Sequence, residues 1–389
     1  MSSHVNFFEK SINPIPGGVL FDALQPPREI VLAVNPRTSY EEVVGVLQAA
    51  KDTENVVILE LAITEMNTNV GYTGLTPHTF AERVRQAAEE VGWFGYILHA
   101  DHVTIGREAK KKTDEEIKYV KNELDARIKA GFTSYAIDAS YLFDRKGKNV
   151  KEQLKDVIDV GVELFHYIKG KVGDLPFGKE GEVGEIGITE FTTVEEALHY
   201  LNELKKNDIE LNCIAIANGS KHGVTLDAEG KPVPQLTINL KRTVEIVNAT
   251  RKAGYRTGVA QHGISGTPFS LIASKFPKGV INKGNVATNL MLNHFEIFEI
   301  FEPQLYSKMY QWTIDNYGKE GVPEQQTFVN SSKNALKEYF KELQRLKEDT
   351  KRALRAKIYN ETLIMMKAFG MERTAKRVYD YIKKKNISY

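Results

Sequence analysis

The chain has 389 residues, of which 42% are hydrophobic and 26% are charged, and its formal net charge is +1. This composition is typical of a globular protein, and so balanced a charge favours neither nucleic acid nor a membrane as partner. No apolar run approaches the roughly 20 residues that span a bilayer, and the first residues lack a signal-peptide pattern. Cys213 is the single cysteine, which excludes an intramolecular disulfide. We therefore expect a cytoplasmic protein.

Eight short apolar runs recur along the chain, mostly separated by segments with helical periodicity. They cover residues 30–35, 56–62, 95–101, 134–140, 182–187, 213–219, 257–263 and 279–285. Eight strands alternating with helices favour a closed (β/α)8 TIM barrel, an α/β fold, over an open sheet. One linking helix has clear ends, because a capping-box pattern begins at Thr113 and Gly131 follows its last residue, Ala130.

After the eighth run the pattern becomes helical only, from about Leu290 to Lys385. We expect a catalytic barrel over residues 1–290 and a helical C-terminal extension over residues 291–389, packed on the barrel or on a neighbouring subunit. The extension is more basic than the rest of the chain. Because acidic residues interleave at helical spacing, a solvated face is favoured over an anion-binding surface.

Three of the nine histidines follow apolar runs, at the points where strands should end. They are His102, His222 and His262, and Asp101 stands directly before the first of them. The carboxyl ends of barrel strands meet on one face, so these side chains should converge. A single strand-end histidine is more often structural, but three in one context predict a catalytic zinc site with about three protein ligands and an open position.

Five motifs keep a characteristic order and spacing along roughly residues 28–290. They are Gly131-Phe132-Thr133-Ser134 with Ile137-Asp138-Ala139-Ser140, His99-Ala100-Asp101-His102, Ala217-Asn218-Gly219-Ser220-Lys221-His222-Gly223, His262-Gly263-Ile264-Ser265-Gly266, and Lys283-Gly284-Asn285-Val286-Ala287-Thr288. Together they resemble the motifs of the class II, metal-dependent fructose-bisphosphate aldolases and the related tagatose-bisphosphate aldolases.

The resemblance implies a role for each matching residue. His102, His222 and His262 would hold a catalytic Zn²⁺, with Glu185 as a further ligand and room for a second divalent or a monovalent cation. Asp101 would be the general base, a role that suits it because adjacent strand residues point in different directions. Its alternative role is a carboxylate that orients a ligand histidine. Asn285 would complete the set that the resemblance implies. Glu190 is a further catalytic candidate, which either replaces an acid that the family carries on a loop or is simply exposed.

The resemblance also implies a phosphate site after the last strands, where small side chains leave backbone N–H groups accessible to an anion. The substrate-binding residues would be Gly223, Gly263, Ser265, Lys283, Asn285 and Thr288. A glycine-serine loop alone is a weak signal, since most such loops are only turns.

The chain departs from the family pattern after the fifth strand, where a long mobile loop usually carries an acid. Here Gly187 precedes only residues 188–191 before the next helical segment, and Glu190 is the one acid in that gap. Ala62 and Asn289 also replace residues common in the family. These departures leave the identity of the sugar open.

Three functions therefore remain. The first is a zinc-dependent glycolytic aldolase that cleaves a ketose bisphosphate, foremost fructose 1,6-bisphosphate, to dihydroxyacetone phosphate and glyceraldehyde 3-phosphate. The second is a metal-dependent sugar or sugar-phosphate epimerase, and the third is a non-catalytic aldolase subunit, against which the three histidines and Asp101 count. The first implies a small phosphorylated sugar as substrate, and we expect a homodimer or homotetramer.

Overall fold

The computed structural model describes residues 7–8, 13–106, 113–183, 191–221, 223–227 and 229–389. Eight parallel strands close into a barrel in the order β1-β10-β9-β6-β5-β4-β3-β2, and β7 and β8 form a small antiparallel hairpin. The strands are β1 (Val31–Val34), β2 (Val57–Ala62), β3 (Tyr96–Thr104), β4 (Ser134–Asp138), β5 (Gly178–Val183), β6 (Cys213–Ile216), β7 (Thr225–Leu226), β8 (Pro232–Val233), β9 (Gly258–Gln261) and β10 (Ile281–Val286). The predicted TIM barrel is confirmed.

Helices separate the barrel strands and continue after β10. They are α1 (Gly17–Ala23), α2 (Tyr40–Asp52), α3 (Pro77–Val91), α4 (Asp114–Ala130), α5 (Val150–Gln153), α6 (Lys155–Val172), α7 (Val194–Lys206), α8 (Leu240–Lys252), α9 (Phe269–Lys275), α10 (Thr288–Phe301), α11 (Pro303–Tyr317), α12 (Glu324–Ser331), α13 (Ala335–Glu338), α14 (Phe340–Leu343), α15 (Glu348–Phe369) and α16 (Thr374–Lys385), with 3₁₀ turns at Ser140–Leu142 and Ser332–Asn334. The helical C-terminal region predicted from the sequence is present.

Seven of the predicted strands lie within three residues of their observed ends, but the fifth begins at Gly178, four residues before the predicted start. The cause is its composition. Glu180 and Glu182 point into the barrel, where both are buried, so no apolar run marks the strand. A prediction from apolar runs therefore places this strand four residues too far toward the C-terminus.

The ends of α4 follow local backbone chemistry. The Thr113 side chain accepts a hydrogen bond from the backbone N–H of Glu116, and Gly131 ends the helix in the left-handed region at φ 92°. The Glu116 carboxylate accepts instead from the backbone N–H of Gly106 at 2.8 Å. Thus one half of the predicted capping box forms, and the other half ties α4 to the end of β3.

Helix α15 lies against α2 at very short range. A side chain on Gly45 would collide with Ile358, because a Cβ there would lie 2.9 Å from the Cβ of Ile358. Ile358, Phe369 and Val378 belong to the same buried hydrophobic cluster as the barrel. The last two helices therefore share the barrel core, while the division of the chain at residue 290 stays a prediction.

A second cluster of buried side chains lies among α10, α11 and the helices that follow. Phe295, Phe298 and Phe328 form its centre, with the rings of Phe295 and Phe328 4.8 Å apart. No helix among the described residues is both long enough and apolar enough to cross a membrane.

Candidate active site

The backbone at the end of β3 is irregular. His102 has φ 40°, and the register between β3 and β4 shifts between Ala100 and Val103. A bulge of this kind turns neighbouring side chains toward one side of a sheet. Although Asp101 and His102 are adjacent, ligand atoms of both lie within 4.8 Å of one another and of His262.

These side chains open into a cavity of about 470 Å³ at the carboxyl ends of the strands. Of the residues predicted for the site, those lining it are Asp101, His102, Gly223, His262, Gly263, Ser265, Asn285 and Thr288. The structure thus brings together residues that lie on or directly after four different barrel strands, β3, β6, β9 and β10. His222, Glu185 and Glu190 lie outside the described residues.

His102 and His262, the two predicted ligands among the described residues, each have one ring nitrogen in contact with a carboxylate. His102 Nδ1 lies 2.6 Å from Glu182 Oε1 and 3.4 Å from Asp138 Oδ2, and His262 Nε2 lies 3.1 Å from Glu180 Oε1. Their ring centroids are 4.5 Å apart. Carboxylates on the outer nitrogen are typical of metal-ligating histidines, because they fix the ring and make the other nitrogen more basic.

Burial and neighbouring charges shift the pKa values of the side chains that line the cavity. Burial alone would raise the pKa of Asp101, but the positive charges of His102 and Lys283 outweigh it and hold that pKa at about 2. Burial, with Asp138 nearby, raises the pKa of Glu182 to about 8. Burial would lower the pKa of His102, yet Glu182 and Asp101 together raise it well above its usual value. Acidic groups therefore surround His102 and favour a positive charge there.

The donor atoms fit a divalent cation. Asp101 Oδ1 is buried and has no hydrogen-bond partner among the described residues, while Oδ2 accepts from Asn35 Nδ2 at 3.3 Å. A buried carboxylate oxygen is costly to leave unpaired. Two oriented imidazoles beside it are the ligand type that zinc prefers. The candidate metal ligands are thus His102 and His262, with Asp101 beside them, and Asp138 and Glu182 form a second group with His102.

A second polar network lines the cavity beside β1 and β2, and the sequence analysis missed it. Arg37 forms an ion pair with Glu65 at 3.0 Å and donates to Tyr72 at 2.8 Å and Thr288 at 3.1 Å. Glu65 also accepts from Asn35 at 3.0 Å. Arg37 and Glu65 are far apart in sequence and follow different strands, so only their position after β1 and β2 hinted at a site.

Lys283 lies deeper in the barrel than its predicted role requires. It is not among the residues that line the cavity, and it is fully buried, 2.8 Å from Glu180 and 2.9 Å from Glu60. Both carboxylates form ion pairs with the Lys283 ammonium group. Because Glu180 contacts His262, and Glu60 accepts from Asn285 Nδ2 at 2.6 Å, Lys283 reaches the cavity only through them.

Glu182, which the sequence analysis did not predict for the site, lies beside His102, while Glu185, the predicted ligand, lies outside the described residues. A signal for Glu182 exists in the sequence, since Glu182-Val183-Gly184 and Glu185-Ile186-Gly187 have the same spacing. Alternation offered a second signal, because Glu180 and Glu182 are two residues apart and must face the same side of the strand.

The chain matches the family model for class II fructose-bisphosphate aldolase over residues 20–358. No curated protein matches it in a sequence search.

Solved structures share the fold at low identity. A fructose-bisphosphate aldolase from Campylobacter jejuni has a TM-score of 0.58 and 17% identity, covering 93% of this chain and 97% of its own. The YdjI aldolase from Escherichia coli K12 has a TM-score of 0.53 and 17% identity, covering 92% and 98%. The fructuronate-tagaturonate epimerase UxaE from Cohnella laeviribosi has a TM-score of 0.63 and 15% identity, covering 92% and 83%. The match over most of the sequence assigns the chain to the class II fructose-bisphosphate aldolase family.

Proposed function

We propose that the chain is a zinc-dependent aldolase that reversibly cleaves a ketose bisphosphate, foremost fructose 1,6-bisphosphate, to dihydroxyacetone phosphate and glyceraldehyde 3-phosphate. One observation carries this proposal. Asp101 is a buried, ionised carboxylate within 4.8 Å of two histidines that are themselves oriented by carboxylates. This combination places a base beside a metal centre, as aldol cleavage requires.

His102 and His262 would hold the zinc ion, and His222 is the third ligand we propose from the sequence. When bound, zinc acts as a Lewis acid that polarises the ketone of the substrate and stabilises developing negative charge. Glu180 and Glu182 fix the two histidine rings through the contacts described above.

Asp101 is proposed to accept the proton of the C4 hydroxyl group. As the C3–C4 bond breaks, C4 becomes the aldehyde carbon, and the bonding electron pair stays with the three-carbon fragment. That fragment then needs a proton at C3. Asn35 donates to Asp101 Oδ2 and so orients the carboxylate, while Oδ1 has no hydrogen-bond partner among the described residues. Glu190 remains the acid proposed to protonate the fragment.

The substrate phosphate is proposed to bind among Gly223, Gly263, Ser265 and Thr288. Gly223 and Gly263 have φ 87° and 68°, a region that favours glycine and exposes backbone N–H groups to an anion. A Cβ on Gly263 would lie 2.7 Å from the carbonyl oxygen of Lys221. Arg37 donates to Thr288 and brings positive charge to this side of the cavity.

A second function, epimerisation, has one observation in its favour. Strand β5 ends at Val183 and α7 begins at Val194, which leaves little chain for the long mobile loop of the family. An enzyme that keeps its fragment bound and rejoins it has no need to protonate and release it. The likeness to UxaE concerns the fold.

Product analysis separates the two functions. Zinc-loaded protein is incubated with fructose 1,6-bisphosphate and with tagatose 1,6-bisphosphate, and triose phosphates are measured by a coupled assay while the hexoses are separated by chromatography. We expect triose phosphate to form, and a chelator to abolish its formation. C4-epimerised hexose without triose phosphate would replace the aldolase proposal by the epimerase.

A further inference from the structure

The loop after β2 folds back so that Glu65 lines the cavity. The backbone N–H of Glu65 donates to the carbonyl of Ala62, the last residue of β2, at 2.9 Å. The carbonyl of Glu65 accepts from the backbone N–H and from the hydroxyl group of Thr73, at 3.2 and 2.7 Å. Backbone contacts on both sides therefore fix the point from which the Glu65 side chain extends.

The Glu65 carboxylate accepts four hydrogen bonds, two on each oxygen. Oε1 accepts from Arg37 at 3.0 Å and from the hydroxyl group of Tyr72 at 2.7 Å. Oε2 accepts from Asn35 Nδ2 at 3.0 Å and from the backbone N–H of Ala62 at 2.9 Å. A carboxylate has about four lone-pair sites, so these contacts use its whole capacity. The carboxylate consequently has no lone pair left for a metal ion or for a substrate proton.

Asn35 connects Glu65 to the proposed base. Its amide nitrogen carries two hydrogens and lies 3.0 Å from Glu65 Oε2 and 3.3 Å from Asp101 Oδ2. Both neighbours are carboxylates, which accept hydrogen bonds when ionised. If the amide turned over, its carbonyl oxygen would face two anions, and both hydrogen bonds would be lost. Glu65 thus favours the orientation in which Asn35 donates to Asp101.

An ion pair makes this arrangement compatible with burial. The side chains of Arg37 and Glu65 are both 5% exposed and lie 3.0 Å apart. A buried carboxylate is tolerated when its charge is matched nearby. Arg37 supplies that match, and so a second carboxylate can lie one hydrogen-bonded residue away from Asp101.

We propose that Glu65 is a positioning residue for Asp101 and acts through Asn35, so that Oδ2 of the base is tied by a hydrogen bond while Oδ1 has no such partner among the described residues. This inference rests on the proposed function, in which Asp101 accepts the proton of the C4 hydroxyl group. A base held in one orientation meets its substrate in the geometry that proton transfer requires. Loss of Glu65 should therefore slow the chemical step more than it weakens substrate binding.

The variant for the test is Glu65→Gln, which keeps the shape of the side chain. Arg37 can pair only with the oxygen of the new amide, because a guanidinium group donates hydrogen bonds and accepts none. The new NH2 group then faces Asn35 and favours the reversed orientation of that side chain. The hydrogen bond from Asn35 to Asp101 should be lost.

Glu123→Gln is the matched control. Glu123 is likewise buried and ion-paired with an arginine, since it lies 2.7 Å from Arg127. It also accepts from the backbone N–H of Thr68, in the same loop after β2, at 2.9 Å. Glu123 does not line the cavity. The control therefore removes the same kind of charge from the same loop without touching Asn35.

Steady-state kinetics with fructose 1,6-bisphosphate tests the effect on the chemical step in zinc-loaded protein. We expect Glu65→Gln to lower kcat about 10- to 100-fold, with the zinc content retained and KM within about threefold of wild type. Asn35→Ala should lower kcat at least as much. The double variant should be no slower than Asn35→Ala alone, because a residue that acts through Asn35 then has nothing to act on. Glu123→Gln should keep the wild-type kcat.

A second measurement does not depend on turnover. In protein labelled with [15N]asparagine, the Asn35 side-chain amide is identified by the loss of its signals in Asn35→Ala, and its hydrogen exchange with solvent is followed by NMR. We expect this exchange to be on the order of 10-fold faster in Glu65→Gln, since the amide hydrogens no longer lie between two carboxylates. Glu123→Gln should show wild-type exchange.

A wild-type kcat in Glu65→Gln, or an unchanged exchange rate of the Asn35 amide, overturns the proposal. Losses that multiply in the double variant also overturn it, because Glu65 would then act by a route that does not include Asn35. Failure of the aldolase proposal appears differently, as wild-type protein that forms no triose phosphate. The exchange measurement then still decides whether Glu65 holds Asn35 against Asp101.

If Glu65→Gln does not fold, Glu65→Asp takes its place in both measurements. It keeps a negative charge for Arg37, but its side chain is one methylene shorter and cannot keep all four contacts. The same two outcomes, a lower kcat and faster exchange of the Asn35 amide, are expected, and their absence overturns the proposal.

Discussion

Two layers of polar side chains lie on the same three strands of this barrel, and they differ in how their charges are balanced. The cavity layer is Asp101, Glu182 and Asn285, and the floor layer, two residues earlier on each strand, is His99, Glu180 and Lys283. In the floor layer, Lys283 pairs with carboxylates at 2.8 and 2.9 Å. In the cavity layer, a carboxylate oxygen of Asp101 has no hydrogen-bond partner among the described residues.

The difference distinguishes residues that stabilise the barrel from residues that are proposed to take part in the reaction. A buried ion is tolerated when its charge is matched nearby, and Glu180 of the floor layer, with Glu60 on β2, supplies that match for Lys283. The cavity layer leaves its acidic excess to be matched by a cation. Glu180 connects the layers, because one of its oxygens contacts Lys283 and the other contacts His262.

The largest expected effect is in the cavity layer. Replacing His262 by alanine should weaken zinc binding roughly a thousandfold or more, since zinc sites have binding free energies of about 10–16 kcal/mol shared among few ligands. Competition with a chromogenic chelator measures the affinity. His78→Ala, at a largely exposed histidine, is the control and should bind zinc normally. Unchanged zinc affinity in His262→Ala would remove this residue from the metal centre.

Asp101→Asn tests the base without removing a ligand histidine. We expect turnover to fall by a factor on the order of 100 to 10,000, with the zinc content retained, because the amide cannot accept the substrate proton. Steady-state kinetics with metal analysis on the same sample provides the check. Asp156→Asn, on the exposed face of α6, should behave as wild type. Normal turnover, or loss of the metal, would make Asp101 a supporting carboxylate.

Lys283→Met removes the ion pairs of the floor layer. Removing the ammonium leaves Glu60 and Glu180 buried without their partner, which should lower the free energy of unfolding by about 3–5 kcal/mol. Zinc affinity should also fall about 10- to 100-fold, because Glu180 orients His262. Urea unfolding and chelator competition measure the two effects. Lys275→Met, at an exposed site, is the control.

If Lys283→Met were as stable as wild type, the floor layer would not depend on this charge. If its stability fell but its zinc affinity did not, Glu180 would not couple the two layers.

The smallest effect concerns His99, whose Nδ1 lies 2.7 Å from Ser134 Oγ. Burial, assisted by the charge of Lys283, lowers the pKa of His99 to about 3. In the unfolded chain this histidine takes up a proton near pH 6.5, whereas in the folded chain it stays neutral down to about pH 3. The contribution of neutral His99 to stability is therefore complete above pH 6.5 and is lost as the pH falls toward 3.

His99→Gln cannot take up this proton. Between pH 6 and pH 4 the metal-free wild type should therefore lose about 1.4 kcal/mol per pH unit more than the variant, as measured by urea unfolding at each pH. Parallel pH profiles for the two proteins would show that His99 is not neutral in the fold.

Much of the barrel follows from the sequence, because its strands are apolar and its helices have local start and stop signals such as Thr113 and Gly131. The bounds of β5 were predicted wrongly because Glu180 and Glu182 interrupt its apolar pattern. The histidines His102 and His262 were identifiable from their motifs. The pairing of Arg37 with Glu65, and the depth of Lys283, were not, because both depend on how strands that are distant in sequence are aligned.

The left-handed backbone of His102 has a consequence for how this protein can change. A non-glycine residue held at φ 40° costs of order 1–3 kcal/mol, and glycine would relieve that cost. The same substitution would, however, leave the buried carboxylates of Glu182 and Asp138 without the imidazole that contacts them, which costs at least as much. At this one position, the backbone favours glycine while the charges of the neighbouring side chains favour histidine.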